Sequence, residues 1–372
     1  MTIALQTADL DASRIDGTRV YLSELLKRFG TLAPDESFHL YHKRRFNPEL
    51  APPFFENYTI HRIPFPSQWM QTRFAFEMFR SHPERIFFPV QAVPVFLPKE
   101  SRVTLTVHDL AFRKYPETFT SVTRFKLDFL LNRAIARAQN IIAVSESTKQ
   151  DLIKAFPELS KDKIHVIHHG FNHERFDTRI PTQTKNHTLE AFGLRDQQYI
   201  LYVGALQPRK NLVRLIEAFN LFKPDAPEAK LVLAGEPAWL SQEIFAAQMD
   251  SPYRNDILIP GKIPSAHLPT LYQGARCFAF PSLYEGFGLP ILEAFASGVP
   301  IVTADNSSLT EVAGEAALFT NALDSHMLSG QLLRLWRDDI LRRTLIEKGK
   351  RRLKAFSWDT CAEKTLSLIL ST

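Results

Sequence analysis

Cysteine is scarce in this chain of 372 residues, which contains only Cys277 and Cys361. Two cysteines cannot form a disulfide framework, and they cannot complete a zinc site by themselves. Both lie in apolar surroundings typical of a strand or a helix, which predicts buried free thiols. Free thiols persist in a reducing compartment, so we expect a cytoplasmic protein.

Long hydrophobic runs are also absent. No stretch reaches the roughly 18 consecutive apolar residues of a membrane-spanning helix. The first residues include no lysine or arginine, and Asp9 and Asp11 interrupt the apolar residues near them, so the pattern is not that of a signal peptide. Hydrophobic residues form 45% of the chain and charged residues 23%. This composition excludes a disordered protein, and the length indicates two or three globular domains.

Excess charge is small, because 45 basic residues against 40 acidic ones give a net charge of +5. That is too little for a protein that coats nucleic acid, so we expect no nucleic-acid partner. The excess is unevenly distributed: residues 1–170 hold 23 basic and 18 acidic residues, whereas residues 171–372 hold 22 of each. The first half is therefore the half expected to meet an anionic partner.

Short β-rich apolar runs alternate with longer amphipathic runs, which predicts parallel sheets with helices on both faces. The predicted strands are 2–6, 38–42, 58–63, 86–89, 103–107, 140–144, 199–203, 230–234, 257–259, 276–280, 300–303 and 317–320. The predicted helices include 18–29, 122–138, 212–222 and 289–297.

The alternation stops in the polar segment 172–198, which we interpret as a linker and the start of a second domain, with a short helix near 189–192. The prediction is an α/β protein of two Rossmann-like domains, 1–171 and 199–356, that face each other across a cleft. A further helix is predicted for the last segment, 357–372, because apolar residues recur there at helical spacing.

The most informative motif, SLYEGFGLPILE at residues 282–293, follows a predicted strand and opens a helix. Gly286 and Gly288 allow the backbone to approach a ligand, and Pro290 suits a first helical turn. The free N–H groups of a helix start favour a phosphate, and Glu293 lies where an acid can bind a ribose. The alternative is an ordinary strand–helix turn with a solvated glutamate.

Two further motifs also follow predicted strands. Arg209 and Lys210 lie in GALQPRKN, and adjacent cations at the strand ends of a parallel sheet suit a diphosphate. The alternative is a solvated basic pair. His108 ends a strand in VTLTVHDL; a single histidine is more often structural than catalytic, but this position favours a role in a site.

Taken in order, these motifs resemble the GT-B glycosyltransferases of the large retaining family 4, over essentially the whole chain. Glu285 and Glu293 match the Glu-x7-Glu motif of that family, and GALQPRKN is similar to the phosphate-binding turn of O-antigen and capsule mannosyltransferases. The segments IIAVSESTKQDL, VIHHGFN and FSWDTCAEKTL also fit the family's order. The resemblance implies a nucleotide-sugar donor, donor binding by the second domain, acceptor binding by the first, and a final helix from about Trp358 that crosses back onto the first domain.

The resemblance also implies residue roles. Arg209 and Lys210 would neutralise the donor diphosphate. Glu285 would bind hydroxyls of the transferred sugar, Glu293 would hold the ribose, and His108 would hydrogen-bond the sugar near its anomeric carbon. The remaining donor-binding positions are backbone groups or turn residues, namely Gly17, Gly204, Gly261, Ile263, Gly286, Phe287, Gly288 and Leu289.

Two positions depart from the family pattern. The loop after the first strand often carries paired glycines, but here it offers only Gly17, with Arg19 as the candidate to act in place of the second. Relatives often have arginine after Gly204, where this chain has Ala205, so Arg209 is expected to supply that charge.

Two patterns resemble metal sites without predicting one. Asp9 and Asp11 form an Asp-x-Asp, the metal signature of a different glycosyltransferase fold, but so short a match is common by chance. His168 and His169 adjoin in HVIHH, and neighbours on a strand point to opposite faces. We expect no metal and no cofactor, because cationic side chains and a helix dipole would take the place of the cation.

A glycosidase interpretation of Glu285 and Glu293 fits less well. Catalytic carboxyls of a glycosidase lie roughly 5–9.5 Å apart, whereas eight residues of mostly helix span up to about 12 Å. That spacing suits one donor held at its sugar and at its ribose. The family's front-face retaining mechanism needs no carboxylate nucleophile, since the leaving phosphate accepts the acceptor's proton.

The sequence thus predicts a retaining, metal-independent hexosyltransferase that moves mannose from GDP-mannose to a glycan or a lipid-linked glycan in surface polysaccharide biosynthesis. Two alternatives stay open: a UDP-hexose donor, and a GT-B-like partner subunit without turnover. A nicotinamide-dependent enzyme is disfavoured because no Gly-x-Gly-x-x-Gly follows a strand.

The first half also carries candidates for peripheral contact with an anionic membrane, at the inner face of the cytoplasmic membrane. Lys43, Arg44 and Arg45 lie together, and an aromatic-rich helix places Arg73 and Arg80 seven residues apart, near one face. The alternative for that helix is packing within the domain with two solvated arginines.

Overall fold

The computed structural model describes residues 2–13 and 15–371, and of His173 and Glu174 only the backbone. Met1, Arg14 and Thr372 lie outside the described residues. The chain divides into two compact units. Unit 1 consists of Met1–Gly170 and Ser357–Thr372, and unit 2 consists of Phe171–Phe356.

Unit 1 contains a seven-stranded sheet, parallel throughout, in the order β3-β2-β1-β4-β5-β6-β7. Strands β1 to β7 are Thr2–Gln6, Ser37–His42, Tyr58–Arg62, Arg85–Phe88, Arg102–Val107, Asn140–Ala143 and Ile164–Val166. Helices α1 to α5 are Gly17–Leu32, Ala75–Ser81, Ala111–Lys114, Ser121–Arg137 and Glu146–Ala155. A π-helical turn, Met70–Phe74, leads directly into α2.

Unit 2 contains a six-stranded parallel sheet in the order β10-β9-β8-β11-β12-β13. Strands β8 to β13 are Tyr199–Val203, Lys230–Ala234, Ile257–Gly261, Cys277–Phe280, Ile301–Ala304 and Ala317–Thr320. Helices α6 to α10 are His173–Phe176, Thr182–Ala191, Leu212–Phe222, Gln242–Asp250 and Leu268–Gly274. Helices α11 to α14 are Leu289–Ala296, Ser307–Ala313, Ser325–Arg337 and Asp339–Leu353.

The last helix, α15 (Trp358–Leu370), belongs to unit 1 although it follows unit 2 in the chain. Arg28 Nε donates to Asp359 Oδ1 at 2.5 Å. At the other end of the helix, the carbonyl of Leu370 accepts from Arg85 Nη2 at 3.0 Å. Because charged contacts near both ends supplement its buried face, the chain is closed back onto unit 1, as the resemblance implied.

Both sheets place a reversal of strand order beside their first strand, between β1 and β4 in unit 1 and between β8 and β11 in unit 2. The strands are apolar on both faces, as in β8, where Tyr199, Ile200, Leu201 and Tyr202 are fully buried, because helices cover each side of a parallel sheet. In such folds ligands bind outside the carboxyl ends of the strands at the reversal. The prediction of two parallel α/β domains is confirmed, and the topology locates one candidate site in each.

Segment 172–198 is more structured than the sequence indicated. It lies within unit 2, and α7 covers ten of its residues instead of a short helix near 189–192. The large apolar residue of the helix is Leu189, which is fully buried and packs against Gly274 of α10. One anchoring contact is a weak periodic signal, which explains why the sequence indicated only a short helix in this segment. Strand β7 was also missing from the predicted strands.

The structure describes no helix long and apolar enough to cross a membrane within residues 2–13 and 15–371. Cys277 and Cys361 are both buried free thiols, as predicted. Burial raises the pKa of each thiol to about 12, so neither is a reactive thiolate at neutral pH.

Candidate active site

Two loops meet at the carboxyl ends of β8 and β11, where the strand order of unit 2 reverses. Leu283 N in the second loop donates to the carbonyl of Arg209 in the first at 2.9 Å. Asn211 Nδ2 donates to the carbonyl of Pro281 at 3.0 Å and to that of Ala322 at 2.6 Å. The backbone of Asn211 is left-handed, with φ of 60°, a conformation that asparagine tolerates. These bonds hold the two loops in one register.

Glu285 lies between the two predicted cations. Lys210 Nζ is 2.5 Å from Glu285 Oε1, and Arg209 Nη1 is 3.1 Å from Glu285 Oε2. Arg209 Nη1 also donates to the carbonyl of Tyr284. All three charged side chains are nearly buried. The structure therefore brings together Arg209, Lys210 and Glu285, which the sequence separates by some 75 positions.

The charge state of this cluster is fixed by its geometry. Burial favours the neutral acid, but the neighbouring cations Lys210 and Arg209 outweigh it and hold the pKa of Glu285 at about 2. The group is therefore a carboxylate at neutral pH, and the cluster has a net charge of +1. A net positive cluster at the strand ends suits a ligand that carries more than one negative charge.

Two serines of α12 form hydrogen bonds with the backbone of the turn between Glu285 and α11. Ser308 Oγ donates to the carbonyl of Glu285 at 2.9 Å and to that of Phe287 at 2.8 Å. Ser307 Oγ accepts from Glu285 N at 3.1 Å. Gly288 has φ of 107°, a conformation open to glycine and costly for other residues. The first amides of α11 are thereby aimed from a rigid turn, and sequence reasoning had missed both serines.

Glu293 lies one turn into α11 and is oriented by a residue that the sequence did not single out. Tyr272 of α10 donates its hydroxyl to Glu293 Oε2 at 2.9 Å. Desolvation raises the pKa of Glu293, while the Tyr272 hydrogen bond and the charge of Arg175 oppose that rise. Arg175 comes from the segment interpreted as a linker. Only its position in the fold reveals this contribution.

Three glycines lie at the carboxyl ends of the neighbouring strands β8, β9 and β10: Gly204 and Gly235 follow β8 and β9, and Gly261 ends β10. Gly204 N donates to the carbonyl of Ala234 at 2.9 Å, and Gly235 N donates to that of Gly261 at 3.0 Å. A side chain on Gly235 would collide with the carbonyl of Gly204, since a Cβ there would lie 1.8 Å from that oxygen. Gly261, with Ile263 two positions later, thus belongs to the same edge as the cation cluster, two strands away from β8.

His108 occupies the corresponding edge of unit 1, at the end of β5. Its Nε2 lies 2.8 Å from the carbonyl of Pro89, which follows β4. A carbonyl only accepts, so Nε2 donates and Nδ1 of the neutral ring is an acceptor. Burial lowers the pKa of His108 despite the Pro89 bond and nearby carboxylates. The ring is therefore neutral at pH 7.

Aromatic rings surround His108 and fix its plane. Tyr21 meets it edge-on with centroids 5.3 Å apart, and His169 lies 5.5 Å away. His169 in turn lies 5.6 Å from Trp358, the first residue of α15. The sequence had considered His169 only as a metal ligand. In the structure it is a buried ring whose pKa is lowered well below the usual value by burial.

The start of α1 places Gly17 beside Asp16, which caps the helix by accepting from Arg19 N at 3.2 Å. Arg19 Nε donates to the carbonyl of Asp9 at 3.1 Å, and its guanidinium pairs with the Asp16 carboxylate. The side chain proposed to replace a missing glycine is therefore engaged within its own loop. Contact of Gly17 or Arg19 with the donor stays a prediction.

Asp9 and Asp11 do not converge. Asp11 Oδ1 lies 3.1 Å from His42 Nδ1, and Asp11 Oδ2 accepts from the backbone of Lys43 and Arg44 at 2.9 and 2.6 Å. Among residues 2–13 and 15–371, no three His, Cys, Asp or Glu side chains are grouped so that they could hold a metal ion.

The two arginines of the aromatic helix are both paired locally with one carboxylate. Arg73 Nη2 lies 2.5 Å from Glu77 Oε1, and Arg80 Nε lies 2.9 Å from Glu77 Oε2. The spacing of four and three residues already indicated such pairs. Arg73 and Arg80 therefore share one buried carboxylate and are not the freely solvated pair of the alternative interpretation.

Comparison with known proteins matches this architecture. The family described as "Glycosyltransferase Family 4" matches residues 33–175, and the family described as "Glycosyl transferases group 1" matches residues 184–352. The O-antigen chain mannosyltransferase B of Escherichia coli is 31% identical over 73% of this chain and 71% of its own length. This chain belongs to the glycosyltransferase family 4. The enzymes of this family use nucleotide-sugar donors and glycan acceptors, as the motifs implied.

Further relatives and structures agree with that assignment. The O-antigen chain mannosyltransferase RfbU of Salmonella typhimurium is 26% identical over 61% of this chain and 59% of its own length. Sucrose-phosphate synthase from Thermosynechococcus elongatus has a TM-score of 0.76 at 19% identity, covering 100% of this chain and 98% of that one. Anabaena Alr3699/HepE, solved with UDP and glucose, has a TM-score of 0.77 at 17% identity, covering both chains fully. The structural likenesses show the GT-B fold of this glycosyltransferase.

Proposed function

We propose that this family 4 glycosyltransferase is a retaining, metal-independent mannosyltransferase that moves mannose from GDP-mannose to a glycan or a lipid-linked glycan of a surface polysaccharide. The observation that carries the proposal is the cluster of Arg209, Lys210 and Glu285 at the strand reversal of unit 2. The mannose donor is favoured by the O-antigen mannosyltransferases among the relatives.

The donor diphosphate binds at the cation cluster. Arg209 and Lys210 are held in place by Glu285 before any ligand arrives, so little reorganisation is needed when charge develops on the leaving diphosphate. The amide of Leu289 and the turn at Gly286 add backbone donors at the start of α11. Fixed positive groups thereby supply the stabilisation that a divalent cation gives in other transferases.

The sugar, the ribose and the base bind around that cluster. Glu285, with the amides of Phe287 and Gly288, binds hydroxyls of the transferred mannose. Glu293, oriented by Tyr272, accepts from the ribose hydroxyls. The base of the donor nucleotide contacts mainly backbone groups of Gly204, Gly261 and Ile263, at the carboxyl ends of β8 and β10.

His108 binds the transferred sugar through Nδ1. Since Nε2 donates to Pro89, Nδ1 of the neutral ring accepts from a sugar hydroxyl and positions the anomeric carbon. In the front-face retaining mechanism, the bond from the anomeric carbon to the diphosphate breaks and the acceptor oxygen attacks the same face. The leaving phosphate oxygen takes the acceptor's proton, so no side chain has to act as nucleophile.

Unit 1 binds the acceptor and approaches an anionic membrane from the cytoplasm. It holds 24 basic and 20 acidic residues, whereas unit 2 holds 21 and 20. The surplus of positive charge therefore stays with unit 1 when α15 is counted there. The two buried free thiols support a reducing compartment.

The test is calorimetric titration of the purified chain with GDP and with UDP, followed by transfer from GDP-mannose in the presence of a chelator. We expect GDP to bind more tightly than UDP and transfer to proceed with retention of anomeric configuration, read by NMR of the product. Tighter binding of UDP would favour a UDP-hexose donor, which Alr3699/HepE, solved with UDP-glucose, makes the second candidate. Binding without turnover on any acceptor would indicate the non-catalytic alternative.

A further inference from the structure

An apolar face of α4 is exposed on unit 1. Val122, Phe125 and Phe129 recur at intervals of three and four residues and so lie on one side of the helix. Val122 is 80% exposed, Phe125 77% and Phe129 48%. Around them, every residue of 121–126 is exposed. Adjacent large apolar side chains at this exposure mark a contact surface, because single exposed apolar residues are common but groups are not.

Phe96 extends this surface. It is 71% exposed, and its segment is tied to α4 because Arg133 Nη2 donates to the carbonyl of the adjacent Val95 at 2.9 Å. Arg133 lies one helical turn beyond Phe129. We call the four residues Val122, Phe125, Phe129 and Phe96 the α4 ridge.

The charge beside the α4 ridge is positive. Arg124 and Lys126 are exposed on the same two turns, and 121–127 contains no aspartate or glutamate. Asp128, the acidic residue of α4, is engaged by Arg113 Nε at 2.6 Å. The surface thus combines exposed rings with cations that flank them, which matches the acyl chains and the phosphates of an anionic bilayer.

We propose that the α4 ridge docks unit 1 on an anionic lipid surface. The rings enter the boundary between headgroups and acyl chains, and Arg124 and Lys126 contact the lipid phosphates. The inference rests on the proposed function, since a lipid-linked acceptor is held at such a surface. It also selects among the basic regions of unit 1, because Arg73 and Arg80 already share Glu77.

The test is co-sedimentation of the full chain with vesicles of phosphatidylcholine, alone or mixed with phosphatidylglycerol. We expect binding to the mixed vesicles only. The double variant Phe125→Ser/Phe129→Ser should lower the partition coefficient by on the order of a hundredfold, as expected when two ring burials are lost. Arg124→Glu/Lys126→Glu should lower it by about tenfold or more, and added salt should weaken binding of the parent chain.

Matched controls lie outside the α4 ridge. Phe54 is 89% exposed elsewhere in unit 1, so Phe54→Ser removes a ring that is more exposed than Phe125 or Phe129 and should leave binding unchanged. Charge reversal at Lys43, Arg44 and Arg45 should have a smaller effect than reversal at Arg124 and Lys126. Each of these residues is at least partly exposed, so every variant should stay folded, which thermal unfolding checks.

Three results would overturn the proposal. These are full vesicle binding by Phe125→Ser/Phe129→Ser, equal binding to neutral vesicles, or a lipid-free dimer in sedimentation velocity that this variant dissociates. The last result would assign the α4 ridge to a second copy of the chain. GDP titration and transfer to a water-soluble acceptor should be unaffected in the ridge variants. Vesicle binding by a chain that lacks both activities would instead refute the proposed function and leave the docking surface standing.

Discussion

The strand reversals of the two units have the same topology and different chemistry. In unit 2 the edge beside β8 and β11 carries three buried charges, with Glu285 paired to both Arg209 and Lys210. In unit 1 the edge presents the neutral ring of His108, enclosed by Tyr21 and His169, and the nearby Arg19 is paired with Asp16. A parallel sheet fixes where loops gather, but the residues in those loops decide what the edge can bind.

The difference also concerns rigidity. The unit 2 edge is pre-set by ion pairs, by loop-to-loop hydrogen bonds and by the two serines of α12, as suits the stabilisation of developing charge. The unit 1 edge is pre-set by ring packing, by the hydrogen bond from His108 to Pro89 and by the contacts of Arg19 with Asp9 and Asp16. We therefore expect substitutions in unit 2 to remove donor binding and catalysis together, and substitutions in unit 1 to separate them.

The largest effect is expected from Lys210→Ala. It removes one of the two cations from the diphosphate site and should lower kcat/KM by on the order of 10²–10³, the scale of a lost electrostatic contact in a transition state. GDP affinity, measured by calorimetry, should fall with it while circular dichroism shows a retained fold. Lys350→Ala, which removes an exposed lysine paired with Glu347, is the control. Normal turnover in Lys210→Ala would contradict the assignment of the cluster to the diphosphate site. Glu285→Ala should also abolish transfer, because it removes the carboxylate proposed to bind the transferred sugar.

An intermediate effect is expected from His108→Phe, which keeps a ring against Tyr21 but removes both nitrogens. Loss of a buried polar contact costs about 1–3 kcal/mol, so transfer should fall by on the order of tenfold to a hundredfold. GDP affinity should not change, because GDP lacks the sugar that His108 is proposed to bind. His326→Phe, at an exposed position of α13, is the control. A matching drop in GDP affinity would contradict the division of roles between the units.

The smallest effect is expected from Tyr272→Phe, which removes the hydrogen bond to Glu293 and little else. GDP should bind about fivefold more weakly, as expected for one hydrogen bond of about 1 kcal/mol. The bond lowers the pKa of Glu293, so its loss raises that pKa. Affinity should then decline at a higher pH in the variant than in the parent chain as the solution is acidified.

The control for that experiment is Tyr199→Phe, which also removes a buried hydroxyl, but one that donates to the carbonyl of Leu271. This variant should lose stability without shifting the pH profile of GDP binding. Identical pH profiles for Tyr272→Phe and the parent chain would show that Tyr272 has only a structural role.

Much of the donor edge could be predicted because its signals are local. A turn that leads into a helix is predicted within a few positions by Gly286, Gly288 and Pro290. The left-handed backbone angle of Gly288 agrees with that expectation. Arg209 and Lys210 stand beside a strand end that apolar periodicity locates. The pairing of Glu77 with Arg73 and Arg80 could also have been predicted, since spacings of four and three residues place them on one helix face.

Other features leave no local signal. In the sequence, Tyr272 cannot be distinguished from the other apolar residues of its helix. Its hydrogen bond to Glu293 depends on how α10 packs beside α11. Arg175 looks like part of a polar linker. The rings of α4 have the same spacing as a core helix, so periodicity cannot distinguish a buried face from one left exposed.

The sequence by itself determined the two parallel sheets, the glycine turn into α11, the family and the side chains available for chemistry, because each depends on spacing along a short stretch. Only the tertiary structure decided that Glu285 binds both cations, that Tyr272 and Arg175 tune Glu293, that α15 completes unit 1 and that the α4 ridge faces solvent. Those facts join residues tens to hundreds of positions apart. Their energies arise from burial and from distances of a few ångströms, which no local pattern specifies.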